Sequence, residues 1–147
     1  MDQQTIQLLN EVNRGIIKFR GLYSQWSGDH SISYHEMLVL YTIREKGFCT
    51  QKQICDNYII PRQTMNNVIG GLRREGILVL SDIHSTGREK AFILTEKGEA
   101  HAAPLLDALN CMETRAVELL GREKLEKLTA LMREYDQALQ SALAETR

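Results

Sequence analysis

The sequence predicts a mainly α-helical protein with one small β-hairpin wing, and three observations carry that prediction. Apolar residues recur every three or four positions through most of the chain, the mark of amphipathic helices. Two short runs of branched and aromatic residues near the middle, residues 77–80 and 91–94, are separated by a charged, glycine-containing turn. Between residues 50 and 95, two short helical patterns, a turn and that hairpin follow one another, the order of a winged helix-turn-helix lobe.

The elements follow in chain order. Ile6, Leu9, Val12, Ile16, Phe19 and Tyr23 share one face of a long first helix that ends around Trp26-Ser27-Gly28. A second helix starts near Ser33, carries Met37, Leu40, Tyr41 and Arg44, and stops at Lys46-Gly47. Thr50 is a good N-cap for a short third helix in which Ile54 and Tyr58 stand one turn apart. Ile60-Pro61 breaks it, because proline lacks an N–H and pushes the residue before it out of the helical region. Pro61 suits the opening turn of the next helix, whose buried face is Met65, Val68, Ile69 and Leu72. Gly76 ends that helix, Ile77-Leu78-Val79-Leu80 forms a strand, and residues 82–89, with Gly87 and Arg88 near the tip, turn the chain into Ala91-Phe92-Ile93-Leu94. Thr95 then caps a long helix with Leu105, Ala108, Leu109, Met112, Ala116 and Leu119, kinked at Pro104. Gly121 separates a last helix in which Leu125, Leu128, Met132, Tyr135, Leu139 and Leu143 repeat.

The outward face of the second short helix carries Arg62, Gln63, Asn66, Asn67, Gly70 and Arg73. Arginine reads guanine bidentately, Asn and Gln read adenine, and small residues let a helix approach a groove closely. A merely solvated helix more often carries Glu and Lys there. The net charge of −1 argues against a bulk cationic nucleic-acid binder, but the charge is unevenly spread. Residues 50–95 hold six basic and four acidic side chains, whereas residues beyond 95 hold seven basic and ten acidic. The positive excess thus coincides with the segment suited to DNA.

Taken together, Gln51-Lys52-Gln53-Ile54, Arg62-Gln63-Thr64-Met65-Asn66-Asn67-Val68, Leu72-Arg73-Arg74-Glu75-Gly76, and Arg88 followed by Leu94-Thr95 and Gly98 resemble the MarR family of bacterial transcriptional regulators. The resemblance implies a single protomer over residues 1–147, with a DNA-binding lobe at 33–95 and dimerisation helices at 1–30 and 96–147. It implies a cytoplasmic homodimer that binds double-stranded DNA at a palindromic operator, most often as a ligand-responsive repressor. In that reading Arg62, Gln63, Asn66 and Asn67 read bases, Thr64, Arg73 and Lys52 hold phosphates, and Arg88 enters or follows the minor groove. Two positions depart from the family: Thr86 stands where an Asp usually precedes the wing Arg, and Pro61 where a Ser usually opens the recognition helix. The rival reading is a winged helix used only for protein–protein interaction or assembly, which the near-neutral charge favours.

The outer helices carry more apolar surface than one small lobe can cover, so they are expected to pack against a second copy. Phe19, Tyr23, Trp26, Tyr34 and His35 gather where the first two helices meet. The resemblance implies a small aromatic or phenolic effector there, although an aromatic core explains the same residues. His30, His35, Glu36 and His101 lack the spacing of a metal site, and no cofactor is expected. Cys49 precedes a helix N-terminus that could favour its thiolate, whereas Cys55 reads as a core residue and Cys111 lies on the third long helix. Three cysteines without a C-x-x-C pair, no secretory signal and no bilayer-spanning apolar run predict a reduced cytoplasmic setting without membrane contact. No nucleophile, base and orienter form a set, and no phosphate-cradling glycine motif occurs, so an enzyme is not expected.

Overall fold

A computed structural model of the chain describes residues 1–146. The element order is α1 (Gln3–Asp29), α2 (Tyr34–Lys46), β1 (Cys49–Thr50), α3 (Gln51–Tyr58), α4 (Arg62–Arg74), β2 (Leu78–Ser81), β3 (Ala91–Leu94), α5 (Glu96–Leu120) and α6 (Arg122–Glu145). These elements form two compact units, Met1–Leu106 and Asp107–Arg147.

In the first unit the helix ends follow local chemistry. Ser33 caps α2 by accepting from the Glu36 amide, and Gly47, in the left-handed region at φ 81°, closes its far end with a bond to the Ile43 carbonyl. Thr50 and Gln53 form a capping box at α3, each side chain accepting from the other's backbone amide. Pro61 caps α4 without any side-chain bond, as expected once Ser is replaced. At its end the Ile77 amide returns to the Leu72 carbonyl through Gly76, whose φ is 75°.

The hairpin strands were expected at residues 77–80 and 91–94; the structure delays the first to Leu78 and keeps the second. It also adds a strand that the sequence did not reveal. Cys49 and Thr50 pair with Phe92 and Ala91, giving an antiparallel three-stranded sheet of order β1-β3-β2. Val39, Leu40, Ile54 and Met65 are fully enclosed in the lobe, joined by Ile69, Leu72, Leu78 and Phe92. Val68, expected on the buried face of α4, is half-buried. The Thr95 hydroxyl caps α5 by accepting from the Gly98 amide at 2.9 Å and donates to the Gly76 carbonyl. That junction is tight: a Cβ on Gly98 would lie 2.1 Å from the Ile77 carbonyl oxygen.

α1 runs to Asp29, a little past the expected end, and buries only Trp26 and Ser27. Its Ile6, Val12, Ile16 and Phe19 are exposed. In the second unit Gly121, at φ 88°, separates α5 from α6. α6 buries none of its described residues, and Leu128, Leu131, Met132, Leu139 and Leu143 are exposed along it.

Candidate nucleic-acid interface

The interface is built on the amphipathic split of α4. Met65, Ile69 and Leu72 fasten the helix to the lobe, so Arg62, Gln63, Asn66, Asn67 and Arg73 stand exposed on the other side, with Thr64 half-buried. Without a side-chain cap at Pro61, the first amides of α4 keep their donors for an outside acceptor.

Between α4 and the wing runs a cleft of about 400 Å³. Five of the residues expected to meet DNA line it together: Lys52, Arg62, Asn66, Arg73 and Arg88. Gln63, Thr64 and Asn67 are not in its lining. Gly70, expected on the same outward face, lines it too, and Gln51, Glu89, Lys90 and Phe92 join them without having been assigned a contact role from the sequence. Gln51 reaches from α3 to donate to the Arg62 carbonyl at 3.0 Å and to Asn66 Oδ1 at 2.6 Å. Gln63 likewise donates to Asn67 Oδ1 at 3.2 Å. Both asparagines therefore already use their carbonyl oxygens, and pairing with adenine requires an exchange of exposed hydrogen bonds, which costs little net free energy. The Arg73 guanidinium lies over the Phe92 ring, 5.6 Å from its centroid, so an aromatic face holds that cation at the floor of the cleft. Lys52 is bonded to Asp56 one turn on, which raises its pKa, with the more distant charge of Glu89 acting in the same direction. That engagement leaves Lys52 less free for phosphate than its sequence position suggests.

The wing tip is a closed turn. The Thr86 amide donates to the Glu89 carbonyl at 2.9 Å, and the Glu89 amide returns to the Thr86 hydroxyl at 3.2 Å. Thr86 thus tightens the turn that presents Arg88, which has no ion pair among the described residues. The adjacent glycines in α4 do not mark close packing within the lobe. A Cβ on Gly70 would meet nothing nearer than the Arg74 guanidinium at 3.4 Å, so the surface there is open.

The proposed effector residues are only partly gathered. Trp26 is buried and stacks on His30 at 4.1 Å, Tyr34 lies under the Arg20 guanidinium and edge-on to His35, Tyr23 is half-buried, and Phe19 is exposed. A separate cavity of about 570 Å³ opens between α2, β3 and α5, walled by Ile43, Ile93, Leu94, Ala102 and Leu106 with Arg44, His84 and Glu99 at its polar positions. No pattern within one element marks that cavity, since each wall comes from a different part of the chain.

His101 Nε2 and Glu36 Oε1 lie 3.0 Å apart and tie α5 to α2, while His30 bonds the Trp26 carbonyl. Among the described residues no three His, Cys, Asp or Glu side chains converge as a metal site. At Cys49 burial outweighs the nearby helix N-terminus that could have favoured a thiolate, and pushes its pKa up to about 12. Cys55 is buried as expected, and Cys111 is exposed. No helix among the described residues is long and apolar enough to cross a membrane.

Residues 32–98 match the family described as a winged helix DNA-binding domain. Among solved structures, NMB1585, a MarR family regulator from Neisseria meningitidis, superposes over the whole of both chains with a TM-score of 0.85 at 24% identity. MarR of Staphylococcus aureus, solved with salicylate and kanamycin, covers 95% of each chain with a TM-score of 0.70 at 15% identity. BpsR of Bordetella bronchiseptica, whose DNA binding is regulated by 6-hydroxynicotinic acid, covers 88% of this chain and 98% of its own, with a TM-score of 0.67 at 18% identity. No curated protein matches the sequence.

Proposed function

We propose that this chain, which carries a winged helix DNA-binding domain and has the fold of MarR family regulators, is a sequence-specific transcriptional regulator that binds a palindromic operator as a homodimer. The observation that carries the reading is the cleft in which Arg62, Asn66 and Arg73 of α4 meet Arg88 of the wing. A duplex lying there offers base edges to α4 and a phosphate strand to the cations between helix and wing. Arg62, Gln63, Asn66 and Asn67 take the base edges, Arg73, Thr64 and Lys52 take phosphates, and Arg88 follows the minor groove. Residues 33–95 act as the reading lobe, while residues 1–30 and 96–147 hold two copies together through the exposed stripes of α1 and α6. The salicylate complex of the S. aureus protein and the regulation of the B. bronchiseptica protein's DNA binding by 6-hydroxynicotinic acid support an aromatic or phenolic effector that relieves repression, with the Phe19, Tyr23, Trp26, Tyr34 and His35 region as its candidate seat.

Recovery of bound fragments from sheared genomic DNA at two salt concentrations tests the reading. A discrete palindromic site, bound more weakly as salt rises, is the expected result. Failure to enrich any sequence would favour the winged helix as a protein-assembly module, the reading that the near-neutral net charge supports. On the recovered site, Asn66→Ala should weaken binding by about 1–3 kcal/mol through loss of a base-edge contact. An equal loss on random DNA would reassign Asn66 to the phosphates.

A further inference from the structure

One residue of the cleft has the wrong sign for a surface that meets phosphate. Glu89 follows Arg88 in the wing and lines the same cleft as Lys52, Arg62 and Arg73. Its Oε1 is buried and has no hydrogen-bond partner among the described residues. The backbone of Glu89 is held by the Thr86 turn through both its amide and its carbonyl, which fixes where its side chain leaves the wing. The cations lining the same cleft come from three elements, Lys52 on α3, Arg62 and Arg73 on α4, and Arg88 and Lys90 in the wing; Lys52 feels the Glu89 charge but is bonded to Asp56, and Glu89 forms no ion pair among the described residues.

We propose that Glu89 is a built-in counter-charge that sets the DNA affinity of the cleft below what its cations alone would give. The inference rests on the DNA-binding function proposed above. Binding to DNA gains free energy when protein cations neutralise phosphates and release condensed counterions. A carboxylate among those cations neutralises part of their charge in advance and repels the incoming phosphate directly. Since every duplex presents the same phosphates, the penalty falls on all sequences alike. The base contacts of α4 then supply a larger share of the remaining affinity, and the protein leaves random DNA sooner.

The test is equilibrium binding of the full-length protein to a labelled random-sequence duplex over a salt series, for wild type, Glu89→Gln and Glu89→Ala. Both variants should bind about three- to tenfold more tightly at low salt, and the slope of log affinity against log salt should steepen by about one. The gain should shrink as salt rises. Two variants separate charge from architecture: glutamine keeps the shape but exchanges one acceptor oxygen for an N–H donor, alanine keeps neither shape nor polar group, and a charge effect appears in both. Wild-type binding with unchanged or weaker binding by Glu89→Gln overturns the proposal and leaves the DNA-binding reading intact. Weaker binding by Glu89→Ala alone also overturns it, because it assigns Glu89 to holding the wing in place. If wild type binds no duplex at any salt, the DNA-binding reading fails and this inference falls with it.

Discussion

The reading lobe and the outer helices carry the same apolar periodicity, but they differ in what that periodicity achieves within one chain. In the lobe, Val39 and Leu40 of α2, Ile54 of α3 and Met65 of α4 are enclosed, because short helices and a small sheet meet from several directions. Along α1 and α6, Ile6, Val12, Ile16, Leu128, Met132 and Leu139 form equally regular stripes that stay exposed. Periodicity tells which side of a helix is apolar; it does not tell which surface covers it. A stripe left open over several turns is unfavourable in water, at about 25 cal/mol for each Å² of apolar area, and a two-fold partner is the simplest cover.

If that contrast is right, damage to the lobe should be independent of protein concentration and damage to the outer helices should not. The largest effect is expected at Gly98→Ala. A Cβ there meets the Ile77 backbone carbonyl at 2.1 Å, so either α5 or β2 must move. We expect a loss of about 3 kcal/mol in stability, the upper end of the usual cost of overpacking, read by denaturant unfolding at two protein concentrations with the same shift at both. A wild-type-like midpoint would show that the junction between α5 and the sheet is looser than its geometry implies.

A smaller, concentration-dependent effect is expected when Leu128 and Met132 on α6 are both replaced by Asp. Light scattering should report monomers, or the protein should become insoluble, because two charges interrupt the stripe proposed to meet its partner. A soluble dimer indistinguishable from wild type would remove α6 from the interface.

The smallest effect is expected inside the lobe, at Gly70→Ala, where little obstructs a new Cβ. Replacing a helical glycine with alanine should raise stability by about 0.5–1 kcal/mol. The methyl group projects into the cleft, however, so DNA affinity should fall while the melting temperature rises. A gain in both would show that the open face of α4 is not where DNA approaches. The opposite signs at Gly98 and Gly70, two glycines within helices, measure how far tertiary contacts outweigh helix propensity.

Much of the candidate site could be read along single elements. Arg62, Asn66 and Arg73 emerge from the helical spacing of α4, and Arg88 from its place at a hairpin tip. Gln51, Glu89, Lys90 and Phe92 do not, because they join the cleft from other elements and carry no local signal of it. Gln51 looked like an ordinary first-turn residue of α3 until its reach to Asn66 was visible. The same limit applies to Cys49: its position before a helix N-terminus left an activated thiol open, because a local argument contains no information about depth, and depth decides its pKa.

The sequence by itself determined the helix boundaries set by caps and breakers, the two hairpin strands to within a residue, the two faces of α4 and the concentration of positive charge in the lobe. These properties depend on neighbours a few positions apart, through backbone dihedrals, hydrogen bonds within one turn and the period of apolar residues. Only the tertiary structure decided that Cys49-Thr50 forms a third strand, that Gly98 must have no side chain, and that Glu89 shares the cleft with its cations. Each of these depends on which distant segments come within a few ångströms of one another, and chain spacing does not encode that distance until the core has packed.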